Sequence, residues 1–389
     1  MDSGSLTFSF FLIFSGAAVL ATAALYTRQP LLIAYIALGA LIGPYGAGYI
    51  TNVSMLEEVG HIGIIFLLFL LGLDMQPQSL QAVAKQASAV ALASSLLFFA
   101  IGALLAFGFG FSNTECIIIG VAMMFSSTII SIKLLPTTVL HHKHTGELII
   151  GLLLIQDLIA IFVLIVLLSG SGGQFDYATL LRAMVALPLL ALGAYLFVRF
   201  IMIKLISRFD RFHEYIFLLA LGWCLGVAEL ASLAGLSAEI GAFTAGIVLA
   251  TSPISQFIAL NLKPLRDFFL VLFFFALGAR FDTGMLADIA MPALLLTAAM
   301  IIVKPLTFRG LLRATQERSA LSWSVGFRLG QNSEFSLLIA YVATSTMLIG
   351  AEASHLIQAT AILTFLVSTY IVIFSFPTPI AVSDKLRRD

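Results

Sequence analysis

The sequence predicts an all-α polytopic membrane protein, and three observations carry that prediction. Of its 389 residues 60% are hydrophobic and only 10% charged, with a mean hydropathy of +1.08, whereas soluble domains carry about 25% charge. Apolar runs long enough to cross a bilayer, about 20 residues each, recur along the whole chain. Lysine and arginine fall into alternate connections, sixteen in one set and only Arg182 and Arg280 in the other, the asymmetry that marks cytoplasmic loops. The 20 basic and 20 acidic residues cancel, which excludes a general attraction to nucleic acid.

Hydropathy places about 13 spans, at residues 7–25, 31–48, 55–73, 84–107, 114–135, 146–168, 178–203, 213–232, 237–251, 264–279, 285–307, 319–343 and 355–376. An odd number puts the termini on opposite sides. The basic loops then set the C-terminus in the cytoplasm and the N-terminus outside, in a multi-pass protein of the inner (plasma) membrane. The first span lacks the basic leader and small-residue cleavage site of a signal peptide, so it counts as a membrane helix. Cys116 and Cys224 sit in apolar surroundings and read as small buried hydrophobes, with no disulfide or metal spacing.

The second span, with Gly39 and Gly43-Pro44, is broken by small residues that suit close helix packing and reads as scaffold. Glu57, Glu58 and Asp74 bound the third span near the interfaces, where charge costs little. Spans 4 to 6 and 11 to 13 look like two versions of one unit. The middle helix of each carries a polar interruption, Ser126-Ser127-Thr128 in span 5 and Gly330-Gln331-Asn332-Ser333-Glu334 in span 12. By the predicted orientation the first runs inward and the second outward. Inverted repeats with two discontinuous helices are the sequence pointer to a secondary transporter whose site lies where the breaks cross.

Asp157, about halfway along span 6, most needs explaining, because an ionised carboxylate near the bilayer centre costs at least about 2.5–3.5 kcal/mol. It reads as a group holding a proton or a monovalent metal cation, never both. Hard cations favour oxygen ligands, and Ser126, Ser127, Thr128, the Gln156 amide oxygen and the carbonyls freed by the break supply them. An amide at 156 cannot titrate, so electroneutral exchange of one proton for one cation is expected unless Lys304 also releases its proton. Lys304, mid-span and followed by Pro305, must find acceptors: it either clamps helix carbonyls or neutralises Asp157 until a cation displaces it. Arg328 and Glu334 read as a close pair of opposite charges which, with Gln331, Asn332 and Ser333, holds the second break open. Glu229 and Glu239 are open between entrance and packing roles. The loop His141-His142-Lys143-His144 reads as a solvated basic loop, with a pH sensor as the alternative because histidine titrates near neutrality. Nothing resembles a P-loop, a dinucleotide fingerprint or a hydrolase triad, so no enzyme activity and no cofactor is expected.

The stretches Arg28-Gln29-Pro30-Leu31 with Gly43-Pro44, Phe125-Ser126-Ser127-Thr128, Leu154-Ile155-Gln156-Asp157-Leu158, Leu236-Ser237-Ala238-Glu239 and Gln331-Asn332-Ser333-Glu334-Phe335 resemble, in order and over nearly the whole chain, the second monovalent cation:proton antiporter family. The Gln156-Asp157 pair is similar to its Kef potassium-efflux branch. That resemblance implies the sodium/proton antiporter fold, with Asp157 as the ion-binding carboxylate, Ser127 and Thr128 at the crossing, and Lys304 as the family's membrane lysine. It also implies a homodimer working by an elevator-like cycle, with a core at about 84–168 and 285–376 and a dimerisation scaffold at about 7–73 and 178–279, all within one transmembrane domain, 1–389. Two departures stand out. Asn332-Ser333 replaces the family's usual Gly-Gly, which puts the second break in question. The cytosolic regulatory domain of Kef proteins is absent from this chain, so its control is not carried over.

The expected function is exchange of a monovalent cation, potassium first and sodium as the alternative, for protons. A passive cation channel is the rival from another class. A symporter of organic anions is disfavoured by the lack of a basic pocket.

Overall fold

The computed structural model describes residues 6–29, 31–50, 62–63, 65–66, 68–70, 72–73, 77–135, 144–168, 170–171, 174–175, 177–209, 212–236, 238–252 and 255–378. Glu57, Glu58, Asp74, His141, His142, Lys143 and the side chain of Glu239 lie outside the described residues.

The described chain is helical apart from a two-residue pairing of Gly170–Ser171 with Gln174–Phe175. In order the helices are α1 (Leu6–Tyr26), α2 (Leu31–Ile42), α3 (Pro77–Gly108), α4 (Asn113–Met123), α5 (Thr128–Lys133), α6 (His144–Leu168), α7 (Tyr177–Phe197), which continues through a π-turn at Val198–Met202 into α8 (Ile203–Arg208), α9 (His213–Leu233), α10 (Ala238–Ala250), α11 (Ser255–Ala279), α12 (Leu286–Ala314), α13 (Ser319–Arg328), α14 (Glu334–Ser345) and α15 (Ala351–Ser375). Among the described residues seven helices are long and apolar enough to cross a membrane, and five shorter apolar helices accompany them.

Several helices overrun their predicted spans, α3 and α11 among them, because the hydropathy window stopped at polar residues that the helix tolerates. In α3 the first turns hold Gln78, Gln81 and Lys85. In α11 the helix starts nine residues before Pro264, and Asn261 satisfies itself by donating its Nδ2 to the Phe257 carbonyl at 2.8 Å.

The chain divides into two compact units, one of residues 1–22, 34–78 and 175–281, the other of 23–33, 79–174 and 282–389. In the first unit, Ile13, Leu38, Leu272 and Phe275 form one core, and Phe69, Met202, Cys224, Leu249 and Leu262 another. Glycines let its helices touch backbone to backbone: a Cβ at Gly39 would strike the Phe275 carbonyl, and one at Gly278 the Ile36 carbonyl. Such contact supplies van der Waals packing where lipid removes the hydrophobic drive between helices. Both cysteines are buried and free, as expected.

The second unit is built around Ala87, Phe98, Leu152, Phe308 and Leu329, with Phe98 and Phe308 edge to face at 5.6 Å between centroids. Within it α12 packs on α13 and α15, and α14 packs on α4, α6 and α15. The fifth and twelfth predicted spans are each split. Residues 124–127 separate α4 from α5, and 329–333 separate α13 from α14.

Candidate functional site

A helix interrupted inside an apolar core strands backbone N–H and C=O groups, each costing about 1–3 kcal/mol if left unpaired. The second unit solves this by laying its two breaks against each other. Ser126 Oγ donates to the Leu329 carbonyl at 2.8 Å. Ser131 Oγ donates to the carbonyls of Ser127 and Arg328, and Ser336 Oγ donates to the Ala122 carbonyl. The pairing runs in opposite senses along the two segments, 122 with 336, 126 with 329 and 131 with 328, so the two discontinuous helices cross antiparallel.

Each half-helix that leaves a break is capped by a serine. Ser127 Oγ accepts from the Ile130 N–H at the start of α5, and Ser333 Oγ accepts from the Phe335 N–H at the start of α14. Serine caps satisfy backbone donors that have no intrahelical acceptor. The Asn332-Ser333 departure therefore keeps the break: Ser333 caps α14, and the Asn332 N–H donates to Thr364 Oγ1 at 3.0 Å. Asn332 Nδ2 rests on Met123 Sδ.

The charged residues are arranged around this crossing. Lys304, on α12 and fully buried, donates from Nζ to the Phe125 carbonyl at 2.7 Å and the Gln331 carbonyl at 3.1 Å, one from each break. Its ammonium also lies 5.4 Å from the Phe98 ring centroid. Of the two roles open to Lys304, the structure thus shows the carbonyl clamp and not a bond to Asp157. Positive charge there complements the partial negative charge at the C-terminal ends of α4 and α13.

Arg328 corrects a second expectation. It does not pair with Glu334. Its guanidinium donates to the Leu134 and Pro377 carbonyls, both at 2.6 Å, and its Nε to Ser324 Oγ. The planar fork of donors suits carbonyls arriving from two directions. Glu334 instead accepts from Ser127 Oγ at 2.7 Å and Ser333 Oγ at 3.3 Å, the two capping serines. The polar network at the break exists, but it does not run through an Arg328–Glu334 pair: the described hydrogen bonds of Arg328 go to carbonyls and a hydroxyl, and those of Glu334 to hydroxyls.

Asp157, on α6, is 1% exposed and accepts from Thr128 Oγ1, at 3.1 Å to Oδ2 and 3.4 Å to Oδ1. Glu334 reaches the same point of the crossing, accepting from Ser127 Oγ, the hydroxyl of the residue next to Thr128. The neighbouring Gln156 is placed differently from the expectation of a cation ligand: its Oε1 accepts from the Ser126 N–H at 3.1 Å, and its Nε2 points to the Met124 carbonyl. Of the three hydroxyls in the first break, only that of Thr128 bonds to Asp157. Those of Ser126 and Ser127 are held by the second break.

Sequence reasoning missed Ser131, Ser336, Thr364 and Ser368. Gln331 Nε2 donates to Ser131 Oγ at 2.8 Å and its Oε1 accepts from Ser368 Oγ at 2.8 Å, so these side chains complete the crossing. Thr364 and Ser368, one helical turn apart in an apolar span, were the available signal. Farther off, His144 Nε2 lies 2.9 Å from Glu317 Oε1, and Glu229 is exposed on α9. Among the described residues no group of His, Cys, Asp and Glu could hold a metal ion of the tightly ligated kind.

Two crossed half-helix pairs around a buried carboxylate narrow the comparison sharply, and a family described as "Sodium/hydrogen exchanger, transmembrane" matches residues 10–377. The chain belongs to the sodium/hydrogen exchanger family. Among its relatives, "K(+) efflux antiporter 4" of Arabidopsis thaliana is 28% identical over 369 residues, covering 92% of this chain and 62% of that protein. "Putative cation/proton antiporter YbaL" of Escherichia coli (strain K12) is 28% identical over 351 residues, covering 87% and 62%. The chain thus spans about six-tenths of the length of both relatives. Among solved structures it resembles the sodium proton antiporter MjNhaP1 from Methanocaldococcus jannaschii, with a TM-score of 0.69 at 19% identity over 92% of this chain and 95% of that one. That likeness establishes the sodium/proton antiporter fold. In such a fold α6 presents Asp157 to the crossing, and the protein is a multi-pass membrane protein.

Proposed function

We propose that the protein is a secondary active antiporter that exchanges a monovalent cation, K+ in the first instance, for H+ by alternating access, with both competing for Asp157. One observation carries the reading. Asp157 is a buried carboxylate whose hydrogen bonds come from the single hydroxyl of Thr128, while the two buried basic side chains near the breaks, Lys304 and Arg328, donate to backbone carbonyls. A carboxylate so placed needs a proton or a cation to be stable there. Thr128 and the unwound backbone are the first oxygens a dehydrated cation would meet beside it. Because cation and proton each neutralise the same group, one leaves as the other enters, and exchange of one for one follows without any nucleotide or cofactor.

Support for K+ comes from the Gln156-Asp157 pair and from relatives named as K(+) efflux antiporters. Sodium is the second reading, favoured by the fold of a sodium proton antiporter. The segments at 84–168 and 285–376 form the moving core of this cycle, and those at 7–73 and 178–279 the scaffold of a homodimer. The basic loops face the cytoplasm and the N-terminus the outside.

The test is exchange in sealed proteoliposomes, with a proton gradient followed by a pH dye as K+, Na+, Rb+ or Li+ is added. Wild type should move protons against the added cation. Asp157→Asn, which removes the charge at nearly constant volume, should abolish exchange while remaining folded. Residual exchange by that variant rejects the assignment, and cation current without proton movement in wild type establishes a channel instead.

A further inference from the structure

The breaks bring a second carboxylate to Asp157, and the two have different surroundings. Glu334 is the first residue of the 12-residue helix α14, where backbone N–H groups favour negative charge. It accepts two hydroxyl hydrogen bonds, from Ser127 at 2.7 Å and Ser333 at 3.3 Å. Asp157 has Thr128 alone. Glu334 is partly accessible, whereas Asp157 is 1% exposed. When two carboxylates share a site, the environment that better supports charge identifies the one that stays ionised and leaves proton exchange to the other. The adjacent residues Ser127 and Thr128 tie the pair together, one hydroxyl on each acid.

We propose that Glu334 is a specificity-determining carboxylate of the cation site: it stays ionised through the cycle, meets the dehydrating cation before Asp157 does, and sets which cation the site takes. This rests on the antiporter reading above. The charge balance agrees with that reading. With Asp157 protonated the pair carries one negative charge, and with Asp157 ionised and a monovalent cation bound it carries the same. The fixed charge therefore raises cation affinity without altering the exchange of one cation for one proton. Because a smaller cation needs a stronger ligand field to offset its dehydration, loss of this charge should weaken Na+ and Li+ more than K+ and Rb+.

The experiment compares wild type, Glu334→Gln, Glu334→Asp and Asp157→Asn in proteoliposomes, measuring KM and maximal exchange rate for K+, Na+, Rb+ and Li+. Removing a unit charge about 6 Å from the cation at an effective dielectric of about 20 should raise the KM for K+ about a hundredfold. In Glu334→Gln the KM for Na+ should rise further, with the maximal rate largely kept. Glu334→Asp, which keeps the charge, should restore KM most of the way. An unchanged KM and unchanged ion preference in Glu334→Gln overturn the proposal, as does a fall in maximal rate alone. Should Glu334→Gln not reach the membrane folded, Glu334→Asp decides through ion preference alone: withdrawing the retained charge by one methylene should shift the ratio of the Na+ and K+ KM values, and an unchanged ratio overturns the proposal. The antiporter reading fails separately, through inactive wild type or active Asp157→Asn.

Discussion

Replacing Lys304 by methionine separates the clamp from the competitor. Methionine keeps the apolar length of the side chain and removes the ammonium, stranding the Phe125 and Gln331 carbonyls that now accept at 2.7 and 3.1 Å. Each stranded buried carbonyl costs about 1–3 kcal/mol, so the gross loss is about 2–6 kcal/mol. Relief of the burial cost of the ammonium, several kcal/mol in its own right, offsets part of this, as does the loss of any need for a charge partner. A net destabilisation of about 2 kcal/mol is expected, because both carbonyls belong to breaks that cannot relax without parting the crossed segments. Thermal unfolding of the detergent-solubilised protein, followed by aggregation or by tryptophan fluorescence, should show a lower Tm for Lys304→Met and an intermediate value for Lys304→Arg. Cation KM, measured in the same preparations, should not fall. An unchanged Tm together with tighter cation binding would refute the clamp, since that combination is what removing a competitor for Asp157 produces.

Three further changes follow from the same geometry. Gln156→Asp adds a titratable charge beside Asp157 and, being one methylene shorter, withdraws the acceptor of the Ser126 N–H; exchange under clamped membrane potential should become voltage-sensitive or change its ion preference, and no change in either contradicts the role given to Gln156. Arg328→Lys keeps the charge but replaces a fork that reaches the Leu134 and Pro377 carbonyls at once by a point donor; stranding one buried carbonyl should cost about 1–3 kcal/mol, seen as a lower Tm with cation selectivity intact. Gly278→Val in the other unit would push a side chain into the Ile36 carbonyl, so overpacking of about 1–3 kcal/mol should lower Tm and yield, while folded protein from the same preparation keeps the KM of wild type.

Much of the helical layout was legible because its cause is local: a bilayer demands about 20 apolar residues per span, and Leu, Ile, Ala, Val and Phe provide them without regard to what lies opposite. The two interruptions were legible for the same reason, since Ser126-Ser127-Thr128 and Gly330 to Glu334 are polar where lipid permits only satisfied backbone. The assignment of partners was not. Composition showed that Lys304, Arg328, Glu334 and Gln156 needed acceptors or donors, and charge alone matched Arg328 with Glu334. Only the packed structure decided otherwise, because it brought the carbonyls of Phe125 and Leu134, 179 and 194 positions away, within reach of Lys304 and Arg328 and turned both capping serines toward one glutamate. A sequence states what each side chain requires; which of several chemically equivalent groups meets the need depends on distances that only the packed breaks define.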